Sequence, residues 1–295
     1  MEHDSSLRTW ESAGYKISYI PYEYKHVFGL EAKYWNPHSA HRFILDHWHL
    51  SFLIGLVYVV VIHALQFLMR DRKPFNLKQP LVLWNTFLAL FSLIGTVRVA
   101  EESINVFLTR KHGLHDSICI TYDPAGIASL WCFLFIGSKV IELFDTVFIC
   151  LKKRKLIFLH WYHHAAVLMV SWSGAQMIIA PSRLFILMNY TVHTFMYTYY
   201  AVTASGIRLN RPIAMFVTTI QNLQMLGGVL IAFYVAKVRW VDREFCHMSS
   251  ENLIFCFFVY LTFGILFCRF FINAYLRRTA EKTTGVTKLE EKKLN

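Results

Sequence analysis

The chain has 295 residues, 55% hydrophobic, 16% aromatic and only 17% charged, with a net charge of +11 and a mean hydropathy of +0.38. That balance excludes an ordinary soluble protein and places the chain among integral membrane proteins. The positive charge is not interleaved with aromatics in a way that points to nucleic acid, and six cysteines are too few for a disulfide framework at this size.

Residues 1–49 are polar and aromatic-rich, and the first apolar run begins too late to be a cleavable signal peptide. Crossing a bilayer as a helix takes roughly 20 apolar residues. Such runs recur near 50–69, 81–99, 128–150, 157–179, 184–202, 213–236 and 253–276. The expected architecture is all-α, with an N-terminal segment over 1–49, a seven-span membrane domain over 50–276 and a tail over 277–295.

Lys and Arg orient the bundle, because cytosolic loops retain more of them. The loop 70–80, the "KKRK" of 152–155, Arg208 with Arg211, and the tail carry most of the basic residues. They place the N-terminus in the lumen and the C-terminus in the cytosol. Cytosolic lipid headgroups are one expected partner of this charge, and a polyanionic substrate is another. The tail ends "EKKLN", in which Lys292 and Lys293 resemble the dilysine signal that returns membrane proteins to the endoplasmic reticulum. Cys119 and Cys246 fall in two lumenal loops, where a disulfide can form, and are expected to be bridged. The one N-x-S/T sequon, at Asn189, lies inside span five and is expected to carry no glycan.

Polar residues interrupt four of the spans. Span three carries "KVIELFDT", in which Lys139, Glu142, Asp145 and Thr146 form a stripe over two turns. Span four opens with "FLHWYHHAAV", where His160, His163 and His164 stand at i, i+3 and i+4 and project from one helix face. Span five carries "NYTVHTFMYTYY", with Asn189, His193, Tyr197 and Tyr200 on one stripe, and span six carries "TIQNLQ", with Gln221 and Gln224. Any one of these residues could be interhelical glue. A charged group at the bilayer centre costs from about 2.5 kcal/mol upward, so four polar faces at one depth imply a chamber, here open to the cytosol.

Three chemistries fit such a chamber. Clustered histidines suggest a di-iron desaturase or hydroxylase, but His38/His41, His47/His49 and His112/His115 fall in lumenal segments and cannot join the trio. A seven-helix transporter would spread its polar residues across the bilayer rather than gather them on one side. The third is nucleophilic: a neutral imidazole can take an acyl group from a thioester and pass it on. In this scheme Lys139 or a nearby amide holds the developing oxyanion, and the acyl tail rests in the membrane. Cys150, with no histidine near it in sequence, fits apolar filler better than a condensing-enzyme nucleophile.

"KVIELFDT", "HWYHH", "NYTVHTFMYTYY" and "TIQNLQ" stand in the order and spacing of the very-long-chain fatty acid elongase family. "LHWYHH" is similar to its branch for saturated and monounsaturated chains. The resemblance covers all seven spans. It implies six helices in an inverted barrel around an acyl tunnel closed toward the lumen, and condensation of acyl-CoA with malonyl-CoA to 3-ketoacyl-CoA, carbon dioxide and CoA. No cofactor is implied. His163 would accept the acyl group with His193 as its partner, while His160 and His164 orient and relay protons. Lys139, Glu142 and Asp145 would organise the site, and Asn189, Tyr197, Gln221 and Gln224 would contact substrate or support it. Implied partners are the ketoacyl reductase, dehydratase and enoyl reductase of the cycle and a second copy of the chain. The closed end of the tunnel is expected around Gly227, Gly228 and Ile231.

Overall fold

The computed structural model describes residues 7–277, so Lys292 and Lys293 lie outside the described residues. The N-terminal segment is folded, which its composition does not announce. Strands β1 (Arg8–Ser12) and β2 (Tyr15–Ile20) form an antiparallel hairpin. Its two-residue turn has positive φ at both Ala13 (50°) and Gly14 (82°), the geometry that matches strand twist. Two helices follow, α1 (Gly29–Tyr34) and α2 (Pro37–His47), the second started by the Asn36 side chain accepting from Ser39 N–H.

Helices α3 (Leu50–Leu68) and α4 (Lys78–Thr109) are the first two long apolar elements. The expected second span stops at residue 99, whereas α4 runs for 32 residues, about 48 Å at 1.5 Å per residue. The charged turns beyond 99 remain helical because their charges are paired. Arg98 binds Glu31 through Nε at 2.9 Å and Nη2 at 2.8 Å, and Glu102 accepts from Arg183 at 2.9 Å.

After α5 (Gly113–Cys119) a short strand, β3 (Thr121–Tyr122), adds in parallel to β2. The otherwise helical chain therefore carries one three-stranded sheet, in the order β1-β2-β3. The expected third span is two helices, α6 (Ile127–Ile141) and α7 (Phe144–Leu151). At the junction Leu143, Asp145 and Thr146 N–H groups donate to carbonyls three residues back, tightening the backbone and turning the polar stripe in two directions.

Then come α8 (Phe158–Gln176), α9 (Ser182–Ala204), α10 (Arg211–Ala236), which continues through a π turn to Val241, and α11 (Ser250–Phe271). Among the described residues, five stretches are long and apolar enough to cross a membrane: α3, α4, α6 with α7, α10 and α11. Helices α8 and α9, at 19 and 23 residues, have the length, but their histidines, tyrosines and amides lower the hydropathy. The fold is that of a multi-pass membrane protein.

Helix α8 packs on α11, α11 on α10, α10 on α9, α9 along α4, α4 on α6 and α6 on α8, while α3 lies against α7 and α8. At the end of the bundle far from the histidines, Cys119 and Cys246 form a disulfide. Around it, His247 N–H donates to the Cys119 carbonyl and Ala180 N–H to that of His247. Trp10, Ile17 and Ile44 share one hydrophobic cluster with α6 and α8, so the N-terminal segment is part of the core.

Two outcomes test this account. Burial alone would raise the Glu31 pKa, but donors from Trp131, Arg98 and Phe28 N–H outweigh it and hold the carboxyl below its ordinary value of 4.5. A depressed carboxylate stabilises above its unfolded pKa and loses that contribution as pH falls through the folded value. Protection of residues 7–47 from hydrogen exchange should therefore be flat from neutral pH to about pH 5 and fall in stronger acid. Glu31→Gln should remove it at all pH values and cost about 3 kcal/mol, since Arg98 loses its buried partner. Separately, the disulfide spans 127 residues, so Cys119→Ser should lose up to about 5 kcal/mol in thermal unfolding. The wild-type chain should change gel mobility on reduction.

Candidate active site

The four histidines come from two helices that face one cavity. His160, His163 and His164 occupy the first two turns of α8, where His160 N–H caps back to the Ile157 carbonyl at 3.1 Å. His193 lies near the middle of α9. All four line a cavity of about 570 Å³, together with Asn189, Tyr197, Gln221 and Gln224. Lys152 and Arg154 stand at its mouth, beside the end of α9 at Thr203 and Ala204.

Each polar side chain of the α6–α7 stripe has a fixed partner. Lys139 Nζ donates to Glu142 Oε1 (2.8 Å) and Oε2 (3.0 Å) and to Asn189 Oδ1 (2.9 Å). Its three protons are thereby used, and neither Lys139 nor Glu142 lines the cavity. Of the two expected holders of a substrate oxygen, Lys139 or a nearby amide, the cavity is lined by the amides, with Lys139 bonded behind Asn189. An ammonium only donates, so the amide oxygen must face it. That leaves Asn189 Nδ2 as a donor beside the cavity. Glu142 also accepts from Ser138 Oγ at 2.9 Å and lies 3.8 Å from His193 Nδ1.

On the other side of the backbone break, Asp145 accepts from Trp84 Nε1 at 2.6 Å and Tyr197 OH at 2.7 Å. Thr146 Oγ1 lies 2.6 Å from Tyr58 OH and 3.0 Å from His160 Nε2. Trp84, Tyr58 and Thr146 thus position site residues, and only Thr146 was legible as part of the stripe. Trp84 and Tyr58 are single aromatics in apolar spans, where pattern gives them no distinction.

His163 differs from its neighbours. Its ring packs against Phe263 and Phe267, with centroids at 4.6 and 5.7 Å, and Nδ1 is buried with no hydrogen-bond partner. The rings of His160 and His164 are in contact, with centroids 4.5 Å apart and planes tilted by 47°. Behind His163 lies a second cavity of about 80 Å³, lined by apolar groups such as Val167, Phe185, Val259 and Tyr260. The two cavities share His163, Asn189, Gln224 and Met225. A polar mouth and an apolar slot therefore meet at one imidazole.

Gly227, Gly228 and Ile231 do not line the second cavity. A Cβ at Gly228 would fall on the Tyr260 ring, so that glycine makes room for the aromatic that does line it. Gln221 lines the first cavity and donates to Met196 Sδ, while Gln224 lines both. The remaining histidine pairs stay apart from the trio. His41 Nε2 is 3.1 Å from the Gln176 carbonyl, at the opposite end of α8 from His160 and about 24 Å away by helical rise.

The sequence pattern of the ELO (GNS1/SUR4) family matches residues 43–283. Over 250 residues the chain is 41% identical to very long chain fatty acid elongase 6 of Gallus gallus, covering 84% of this chain and 93% of that one. The human elongase 6 is 38% identical over 85% of this chain and 94% of its own. Elongase 3 of Mus musculus is 41% identical over 80% and 86%. With a family match over most of its length and relatives aligned almost end to end, the chain belongs to the ELO family of very long chain fatty acid elongases.

Proposed function

We propose that the chain is the condensing enzyme of fatty acid elongation, joining acyl-CoA and malonyl-CoA into 3-ketoacyl-CoA with release of carbon dioxide and CoA. The observation that carries this reading is the position of His163, an imidazole with an uncommitted nitrogen at the junction of a polar cavity and an apolar one. An acyl thioester has that same polarity. Its anionic carrier suits the mouth at Lys152 and Arg154, and its alkyl chain suits the slot beyond His163.

The scheme has two steps. A nitrogen of His163 attacks the thioester carbonyl, the C–S bond breaks, and CoA leaves with the proton that the imidazole gives up. Asn189 Nδ2 and the Gln224 amide are donors for the oxygen as it becomes negative. Decarboxylation of malonyl-CoA then leaves a carbanion, which attacks the acyl carbon and breaks the acyl–nitrogen bond, while a proton drawn from water at the cavity mouth restores His163 to a neutral imidazole. His193, oriented by Glu142, and the His160–His164 pair relay the protons. Apolar walls around the acyl-imidazole keep water from it. No cofactor takes part. The "LHWYHH" sequence, similar to that of the branch for saturated and monounsaturated chains, supports those chains as substrates.

Seven spans fit this scheme, with α8 and α9 crossing alongside the five more apolar stretches. The neighbour order of α8, α11, α10, α9, α4 and α6 supports a six-helix barrel around the tunnel, with α3 outside. The basic loops support a cytosolic mouth and a lumenal cap, and the disulfide supports an oxidising lumen such as that of the endoplasmic reticulum. The 3-ketoacyl product would pass to the reductase and dehydratase of the cycle.

Acyl-CoA alone should release free CoA from the wild-type enzyme and leave the protein heavier by one acyl chain, mapped to His163 after rapid acid quench. His163→Ala should show neither the mass increase nor condensation, and Glu142→Gln should lower kcat by about 100-fold with less change in KM. Condensation by an unlabelled wild-type enzyme would mean direct attack on the thioester. For topology, a C-terminal tag should be accessible after selective plasma-membrane permeabilisation and an N-terminal tag should not. An endoglycosidase shift at Asn189, which is buried against Lys139, would break the span assignment.

A further inference from the structure

The apolar cavity behind His163 does not stop against membrane helices alone. It shares three walls, Tyr122, Ile136 and Ala175, with a third cavity of about 40 Å³ beneath the N-terminal cap. Five residues of that chamber, Trp10, Trp35, Pro37, Ala40 and His41, precede residue 43, where the family match begins. The chamber is therefore built from this chain's own N-terminal segment as well as from the family's helices.

Of the three shared walls, Ile136 and Ala175 belong to long helices and define the sides of the bundle. Tyr122 is different. It stands on the two-residue strand β3, is 5% exposed, and puts a large ring between the two spaces. Its backbone is held from two directions: Ile20 pairs with it in the sheet, and Cys119, three residues earlier, is bonded to Cys246. A ring on so fixed a support is a floor rather than a mobile flap. The space behind it is walled mostly by apolar groups, Trp10, Ile44, Phe133 and Ile178 among them; its one histidine, His41, has Nε2 at 3.1 Å from the Gln176 carbonyl and Nδ1 buried without a hydrogen-bond partner. Such a space suits an alkyl end.

We infer that Tyr122 sets the upper length of the acyl chain the tunnel accepts, and that the chamber behind it is the space a longer ω-end enters when the ring is removed. This inference rests on the condensing reading above. By the measure in which about 10–15 Å³ holds one water, the chamber takes about three water-sized groups. That is the ω-end of one more two-carbon cycle.

The test uses the full-length enzyme in lipid nanodiscs, saturated acyl-CoAs of increasing even length, and labelled malonyl-CoA. Tyr122→Ala should raise the longest accepted acyl-CoA by two carbons, with a gain of about tenfold in its rate relative to the wild-type optimum. Tyr122→Phe, which keeps the ring, should keep the wild-type limit. Ala40→Phe fills the chamber from a position outside the first two cavities, so adding it to Tyr122→Ala should bring the limit back. An active Tyr122→Ala enzyme with an unchanged limit, or an extended limit that Ala40→Phe does not reverse, overturns the inference. Should Tyr122→Ala fail to fold, Tyr122→Leu carries the same expectation with a smaller cavity. A wild-type enzyme yielding no product that depends on both substrates would instead sink the condensing reading, so the two failures are distinguishable.

Discussion

An ammonium inside an apolar helix bundle is tolerable only if every one of its protons has an acceptor, and Lys139 meets that condition with Glu142 and Asn189. Much of the site follows from this arrangement. Asn189 is drawn from α9 toward α6, its amide is turned so that nitrogen faces the cavity, and Glu142 is brought within 3.8 Å of His193. The same carboxylate sits where α6 gives way to α7, and the tightened backbone there sends Asp145 and Thr146 to different partners. One buried ion pair thus sets the relation between the helix bearing the α9 histidine and the helix carrying the acidic stripe. Replacing it with well-packed apolar residues would cost little stability by general precedent. Its value is geometric.

The two ends of the bundle have opposite chemistry. At the mouth, basic residues and histidines line an open cavity and the connections are loops. At the far end, polar groups face inward and tie elements together: Arg183 bonds Glu102 and the Asp116 and Ser117 carbonyls, leaving its Nε and Glu102 Oε2 buried without a partner, and the loop before α11 is tied to α5 by a disulfide and a backbone bond. A folded cap then covers that end through the Glu31–Arg98 pair. The cavity therefore opens at the end that carries the four site histidines, and the opposite end is tied shut.

The histidine trio, the α9 stripe and the Cys119–Cys246 pairing were legible in sequence for specific reasons. Spacing of i, i+3 and i+4 forces one helix face, and cysteines in two loops on the same side have an obvious partner. What could not be read depends on contacts distant in sequence. Arg98, Glu101 and Glu102 look like the end of a span, and only Glu31 and Arg183 make them part of one. The break at Glu142 leaves no Pro or Gly as a signal. The hairpin needs β3, a hundred residues away, to complete its sheet. Gly228 stood out as a candidate lining residue, but nothing in the sequence near it points to Tyr260, whose ring, rather than the glycine, faces the slot.

Helices α8 and α9 also expose a conflict between crossing a membrane and doing chemistry within it. Each is long enough to span, and each falls short in hydropathy because of the residues that make the site. A lone helix of that kind would insert poorly, since each unpaired polar group in hydrocarbon costs several kcal/mol. Here α8 lies against α3, α6 and α11, and α9 against α4 and α10, all of them more apolar. The polar faces of α8 and α9 turn to the shared cavity, and much of the remainder packs on protein, with apolar groups such as Phe158 and Phe195 left on the outside. The apolar helices therefore do more than anchor the chain: they supply the surroundings in which two less apolar helices bring four histidines to one cavity.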